Sequence, residues 1–249
     1  MDIVVNLWFD DTEPWIKTLL DSLGDISGKR ILLLGNGGSF KELYFVHLCA
    51  NVVYSDLTIA AVRHMKRAFI LSEINCPRNN TIEFHAIDAM HLPFPDSSFD
   101  IIYGSAFVHH LDDLDQFFSE VFRCLKNNGI CRFFDQADSP LWKMMKQTIL
   151  RPIQLYSYWK YPRSPEDLKA NLREVFNKEV LTSIMKKHHF KELFFYREWF
   201  FLSIMRRHYG KFVGWNPDTM KRARPFSLLM KWLDIWLSKY RWMKIISSC

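Results

Sequence analysis

Ile31-Leu32-Leu33-Leu34-Gly35-Asn36-Gly37-Gly38-Ser39 is the stretch on which the reading of this chain turns. Four aliphatic residues with no polar break suit a strand buried on both faces, as strands of a parallel sheet are. Gly35, Gly37 and Gly38 then free the backbone for a tight turn and for close approach to a ligand. Phe40 to Cys49 reads as a helix, so the glycines stand between a strand and a helix N-terminus. Backbone N–H groups there point at anything carrying negative charge or lone pairs. Alone, such a turn is as often a plain strand-to-helix connection as a nucleotide site.

Working outward, Val52-Val53-Tyr54-Ser55-Asp56 is a second strand ending in an acid, about twenty residues past the glycines, the span for a carboxylate that grips ribose hydroxyls. Phe84-His85-Ala86-Ile87-Asp88 is a third, again ending in Asp. A turn, Leu92-Pro93-Phe94-Pro95-Asp96-Ser97-Ser98-Phe99-Asp100, precedes the strand Ile101-Ile102-Tyr103. His109-His110-Leu111, a helix to Leu125, Asn127-Asn128-Gly129 and the strand Ile130–Asp135 follow. This alternation predicts a parallel sheet with helices on both faces. Ligands then bind outside the carboxyl ends of the strands, where Gly35, Asp56, Asp88 and Ser105 converge.

Taken in order, these residues resemble the class I S-adenosylmethionine-dependent methyltransferases, in particular the broad small-molecule branch that includes quinone-biosynthesis enzymes. The resemblance covers Arg30 to Gln136 well. It is most specific from Asp88 through the proline-rich turn and His109-His110-Leu111 to Gly129. It implies an α/β, Rossmann-like class I methyltransferase fold: a mostly parallel seven-stranded sheet with helices on both faces, plus a C-terminal helical extension. It also implies S-adenosylmethionine as cofactor. Gly35, Asn36 and Gly37 would then meet the amino-acid portion, and Asp56 would accept from both ribose hydroxyls. Asp88 would take the adenine amino group with the Ala89 N–H beside it, Leu57 and Met90 would sandwich the ring, and Ser105 would lie under the methionine part. An ionised acid suits Asp56, since it bonds strongly to neighbouring hydroxyls. The alternative for Asp56 and Asp88 is a helix cap after each strand.

Two positions depart from the family pattern. Leu33 stands where the family usually has an acid that orients the glycine loop, and Ser39 replaces a third glycine. Methyl transfer is an in-line displacement helped mainly by positioning, with a base needed only for a weakly acidic acceptor. His109 and His110, after the fourth strand, and Asp135, ending the fifth, are the candidate catalytic residues. A histidine at this place is also common in the family without acting as a base.

The 249 residues, 49% of them hydrophobic, can hold one α/β domain and an appendage. The expected divisions are an N-terminal helical cap (1–29), a methyltransferase domain (30–205) with a substrate insertion near 139–163, and a basic aromatic extension (206–249). Asp11-Thr12-Glu13-Pro14 gives helix-start signals, and Trp15, Ile16, Leu19, Leu20 and Leu23 recur at helical spacing. Trp8, Phe9 and Trp15 are either pocket-closing or ordinary core aromatics. Five scattered cysteines without a Cys-x-x-Cys pair read as reduced cytosolic thiols. No metal-ligand spacing appears, and His188 and His189 read as surface residues. The segment from Met1 to Asp11 is too acidic and too short in apolar run for a signal peptide. A cytoplasmic setting follows.

Ser139 to Trp159 could form a helix leading to an aromatic loop, Tyr156 to Tyr161. Ser164-Pro165-Glu166-Asp167 starts a further helix that runs to Lys187. His188-His189-Phe190 stands where the family commonly has a Gly-Phe turn into its last two strands, here Phe194 to Phe201 and Leu202 to Met205.

The net charge is +6, yet from Ile204 onward ten Lys or Arg face two Asp, leaving −2 for the body. Across Pro225 to Ile246, Ser227, Lys231, Asp234, Ser238 and Arg241 form one narrow polar stripe at helical spacing. The broad remainder is apolar, with Trp232, Trp236, Tyr240 and Trp242. Five charges make it a poor bilayer span. An interfacial helix on an anionic membrane fits, as does a helix packed on its own domain or on a second copy. The expected activity is methyl transfer to a small-molecule or lipid-linked acceptor. The rival is a non-catalytic methyltransferase-fold interaction protein with a decayed cofactor site. A nucleic-acid substrate is disfavoured, because the tail's charges are embedded in apolar surface.

Overall fold

The computed structural model describes residues 23–35, 43–71, 80–105, 107–134, 148, 151–160, 178–191, 229 and 232. The chain divides into two compact units, one of residues 25–138 and 143–193, the other of residues 1–24, 139–142 and 194–249. Every element below belongs to the first unit.

Its core is a parallel sheet of β1 (Arg30–Leu34), β2 (Asn51–Asp56), β3 (Ile82–Ala86), β4 (Phe99–Ser105) and β5 (Leu125–Phe134), in the order β3-β2-β1-β4-β5. Helices α1 (Leu43–His47), α2 (Ile59–Leu71) and α3 (Leu114–Cys124) connect strands, and α4 (Arg151–Lys160) and α5 (Lys178–Lys187) follow. The expected seven strands are five among the described residues, because Phe194–Phe201 and Leu202–Met205 lie outside them, as does the N-terminal helix up to its buried last residue, Leu23.

The aliphatic run behaves as its composition dictates. Ile31 to Leu34 are fully buried, with β2 paired on one side and β4 on the other. Alternate side chains serve opposite faces. Leu32 and Leu34 join Ile102, Phe107, Phe117, Phe118 and Val121 in one apolar cluster with α3. Leu33 lies in register between Tyr54 and Tyr103. The Tyr103 ring meets that of Phe45 on α1, 5.1 Å between centroids.

Between β3 and β4 the chain crosses from the sheet edge to the far side of β1 without a helix. The proline-rich turn makes this crossing, and Arg123 on α3 holds it. All five guanidinium N–H groups are used: Nε donates to Glu120 Oε1 (2.9 Å), Nη2 to Glu120 Oε2 (2.8 Å) and the Leu92 carbonyl (2.9 Å), and Nη1 to the Phe94 carbonyl (2.8 Å) and Asp96 Oδ1 (2.8 Å). Glu120 Oε2 also accepts from the Leu92 N–H at 2.8 Å. The turn therefore reads as a motif because a distant Glu-x-x-Arg pair satisfies its backbone.

Four boundaries differ from expectation. β3 ends at Ala86, with Ile87 and Asp88 beyond it, and α1 ends at His47. β5 starts at Leu125, so Asn127-Asn128-Gly129 falls inside an irregular strand start, with Asn128 at φ 63° and a register shift opposite Phe99 and Ile101. The aromatic loop expected from Tyr156 is helix through Lys160. Pro152 sits in its first turn, where a missing N–H costs nothing. Of the helix expected from Ser164, the described part is Lys178–Lys187.

Two helices end on left-handed residues that are not glycine. At the end of α5, His189 (φ 62°) donates to the Lys186 carbonyl at 3.0 Å and Phe190 to Met185 at 3.1 Å, a Schellman closure. The His-Phe pair thus makes the turn in which the family commonly places Gly-Phe. Cys49 (φ 62°) closes α1 the same way, through Val46 and Phe45. A side chain at such a φ costs about 1 kcal/mol or more, so His189→Gly is expected to raise stability by roughly 0.5–1 kcal/mol. An upward shift of the urea midpoint checks this; a fall would show that the His189 ring contact with Phe122 outweighs the strain.

Candidate active site

The carboxyl ends of β1, β2 and β4 gather most of the expected residues. The Gly35 N–H donates to the Ser55 carbonyl at 3.1 Å, and Ser55 Oγ donates to the Leu33 carbonyl at 2.9 Å, locking the tips of β1 and β2 together. Gly35 has φ 61°, and a Cβ built on it or on Gly104, the register partner of Leu34, would run into the Phe107 ring. Both glycines thus leave a seat for one aromatic ring, which also packs on Phe117 and Phe133. Phe107 was not among the expected residues. Only the register that brings Gly35 and Gly104 together makes its place visible.

Asp56 is buried at the tip of β2, and its Oδ1 accepts from both the N–H and Oγ1 of Thr58 at 3.0 Å. Thr58 Oγ1 in turn accepts from the Ala61 N–H at 3.3 Å, so Thr58 is the cap of α2 and Asp56 steadies it. The Ile87 N–H donates to the Asp56 carbonyl at 2.9 Å, which sets the end of β3 beside that of β2. Asp88 closes a turn there instead of capping a helix: Oδ1 accepts from the Met90 N–H at 2.9 Å, and Oδ2 lies 3.3 Å from His91 Nδ1. Ala89 packs on the apolar cluster, and Met90 is half-buried. Leu57, by contrast, is 71% exposed, an apolar face beside two carboxylates.

Ser105 ends β4, half-buried, in register with Phe134. Past it, Val108–His110 form a 3₁₀ turn that buries His109 and exposes His110, their ring centroids 4.2 Å apart. Asn36, Gly37 and Asp135 lie outside the described residues. His188 Nε2 lies 2.9 Å from Oδ1 of Asp115, whose Oδ2 pairs with Lys187, and no metal-binding cluster occurs among the described residues. Burial pushes the Cys124 thiol up to about 11, which makes it unreactive.

A parallel sheet in this order, with acids at the end of β2 and just past β3 and Gly35 just past β1, is the class I, Rossmann-like architecture. A methyltransferase domain profile matches residues 32–133. A SAM-dependent methyltransferase from Methanosarcina mazei superposes with TM-score 0.57 at 22% identity, over 76% of this chain and 89% of that one. The YcgJ protein from Bacillus subtilis does so with TM-score 0.53 at 20% identity, over 70% and 66%. These likenesses show the fold.

Among curated relatives, phthiotriol/phenolphthiotriol dimycocerosates methyltransferase 1 of Mycobacterium ulcerans is 26% identical over 66% of this chain and 54% of its own length. Demethylmenaquinone methyltransferase of Renibacterium salmoninarum is 26% identical, over 57% of each. Fatty-acid O-methyltransferase of Mycolicibacterium smegmatis is 30% identical over 48% of this chain and 42% of its own. The chain spans about half the length of these relatives or less.

Proposed function

We propose that the chain transfers a methyl group from S-adenosylmethionine to an apolar, lipid-linked or small-molecule acceptor. The observation that carries this is the buried Asp56 carboxylate at the tip of β2, next to the Ser55 that bonds Gly35 and one strand from Asp88. A buried acid suits a vicinal diol, a second acid suits an amino donor, and the exposed Leu57 suits an aromatic ring. The donor set therefore fits the adenosine end of the cofactor. Gly35, Asn36, Gly37 and Ser105 would receive the methionine end, with Ala89 and Met90 beside the adenine. Leu33, buried within the sheet, has no carboxyl group to stand in for the acid that the resemblance implies there.

When bound, the cofactor supplies an electrophilic methyl group on a sulfonium. The chain's own contribution is to orient the acceptor and exclude water. For an oxygen or nitrogen acceptor, His109, His110 or Asp135 would take the proton. The names of the relatives, which include dimycocerosates, demethylmenaquinone and fatty acid, support an apolar acceptor. The tail from Pro225 to Ile246 would bring the protein to an anionic membrane. Of it, the described Leu229 and Trp232 are helical and exposed, one turn apart. No helix among the described residues is long and apolar enough to cross a bilayer. A cytoplasmic setting accords with the free thiols of Cys49, Cys124 and Cys131.

Calorimetry with S-adenosylhomocysteine tests the reading. Asp56→Ala is expected to weaken binding by about 1.5–3 kcal/mol, the range for hydrogen bonds to a charged group. Thr58→Val separates the ligand role from the capping role: it should lower stability while leaving affinity nearly unchanged. No binding by the parent would leave the non-catalytic reading, which the buried Leu33 favours.

A further inference from the structure

All six described side chains of helix α4, Arg151–Lys160, are exposed. Leu155 is 46% exposed, Tyr156 58% and Trp159 78%, although these are the kinds of residue that folding normally removes from water. Their placement around the helix is ordered. At about 100° per residue, the six fall on one half of the circumference in the sequence Arg151, Leu155, Trp159, Pro152, Tyr156, Lys160. Four apolar or aromatic residues thus form the middle of the face, with one basic residue along each edge. The Tyr156 and Trp159 rings lie 5.9 Å apart, so they offer a single aromatic surface.

The surrounding charge is equally one-sided. From Ser139 to Ser164 the sequence has five Lys or Arg and no Asp or Glu, although the chain before Ile204 is net negative. An apolar strip edged by cations, with Tyr and Trp in its centre, matches the boundary between headgroups and acyl chains. A single-stranded nucleic acid would use the aromatic rings but has no use for Leu155 and Pro152 between them. A protein partner would require no such exclusion of acids.

We infer that α4 is a membrane-docking surface of the catalytic unit, seated on anionic lipid through Leu155, Tyr156 and Trp159 and steered by Arg151 and Lys160. It rests on the lipid-linked reading above only in supplying a reason for the contact, and it is separate from the tail. The docked helix lies in the plane of the interface, and the cationic edges make the contact depend on anionic headgroups.

The test is flotation of the full chain with phosphatidylcholine vesicles, with and without phosphatidylglycerol. The parent should float with the anionic vesicles at low salt, less so at high salt. Leu155→Gln combined with Trp159→Gln, both at exposed positions, should lower the partition coefficient roughly tenfold or more, since two large apolar side chains no longer enter the interface. Arg151→Gln, a milder change on the same face, should reduce binding to anionic vesicles and leave neutral vesicles unaffected. Flotation of the α4 variants equal to the parent's would overturn the proposal, even if Trp232→Gln in the tail abolished it. So would a parent chain that ignores vesicles, or one retained instead by single-stranded oligonucleotide. S-adenosylhomocysteine calorimetry on the same samples reports the methyltransferase reading independently. Binding there without flotation sinks the docking surface alone, and flotation without binding sinks the enzyme reading alone.

Discussion

Leu33→Asp is expected to destabilise the protein by about 3–5 kcal/mol, the range for an uncompensated buried charge. The substitution introduces the acid that the family resemblance implies at this place, so an argument from resemblance alone would expect a gain in cofactor affinity. The surroundings argue the reverse. Leu33 is 1% exposed, and its register partners on either side, Tyr54 and Tyr103, are buried as well. A carboxylate there loses its hydration without gaining a cation. It would instead hold its proton, which also removes any value as an acceptor for an ammonium group. Thermal melts of parent and variant, together with S-adenosylhomocysteine calorimetry, decide the matter. A variant that melts no lower and binds more tightly would show that this end of β1 opens to the ligand.

Arg123→Met should cost about 3 kcal/mol, for a different reason. The side chain is only partly buried, but five bonds converge on it. Its loss strands the carbonyls of Leu92 and Phe94 and leaves Glu120 without its cation. Arg123→Lys should recover little, since a point charge cannot reproduce the planar fork. The pH dependence gives an independent signature. Arg123 holds the Glu120 carboxyl below its ordinary 4.5, first through their hydrogen bond, and the Leu92 N–H adds to this against the opposing effect of burial. A carboxyl depressed in the folded state adds stability that is present above its unfolded pKa and is lost as pH falls through the folded one. The difference in Tm between parent and variant is therefore widest near neutrality and narrows as pH drops below 4.5. A gap that stays constant through that range would place the cost in packing alone.

The sheet was legible because its cause is local. Four aliphatic residues running into a glycine are a buried strand wherever they occur, and Asp56 marks the end of the next one by its chemistry. The crossing turn was legible only as a pattern. What holds it is a pair of residues on α3, about thirty positions away, whose bonds no periodicity reveals. Only the end of α4 reads as a loop in the sequence, because Tyr156, Ser157, Tyr158 and Trp159 are indifferent helix formers. The signal lay upstream, in Pro152. The seat for Phe107 depends on Gly35 and Gly104 meeting across two strands, and the sequence separates them by most of the domain. The two candidate histidines stand as a motif, but that His109 is buried and His110 exposed depends on how the 3₁₀ turn lies on the cluster around Phe107.

Strand β1 is paired on both sides, but its two neighbours reach it by very different routes. β2 follows about twenty residues on, after one helix. β4 arrives only after the chain has built β2 and β3 and returned past both. The first pairing closes a short loop and can form early, whereas the second closes a much longer one and must wait. Until it forms, the most aliphatic strand of the protein shows a bare edge to solvent, a template for pairing with another chain. The Arg123 clamp is made by the helix that follows β4, so it can fasten the returning segment only once α3 has wound. During synthesis that edge can be covered only once β4 has emerged, and the clamp on the returning turn closes later still, after residue 123. That interval, rather than the finished fold, is where this protein is most vulnerable to aggregation.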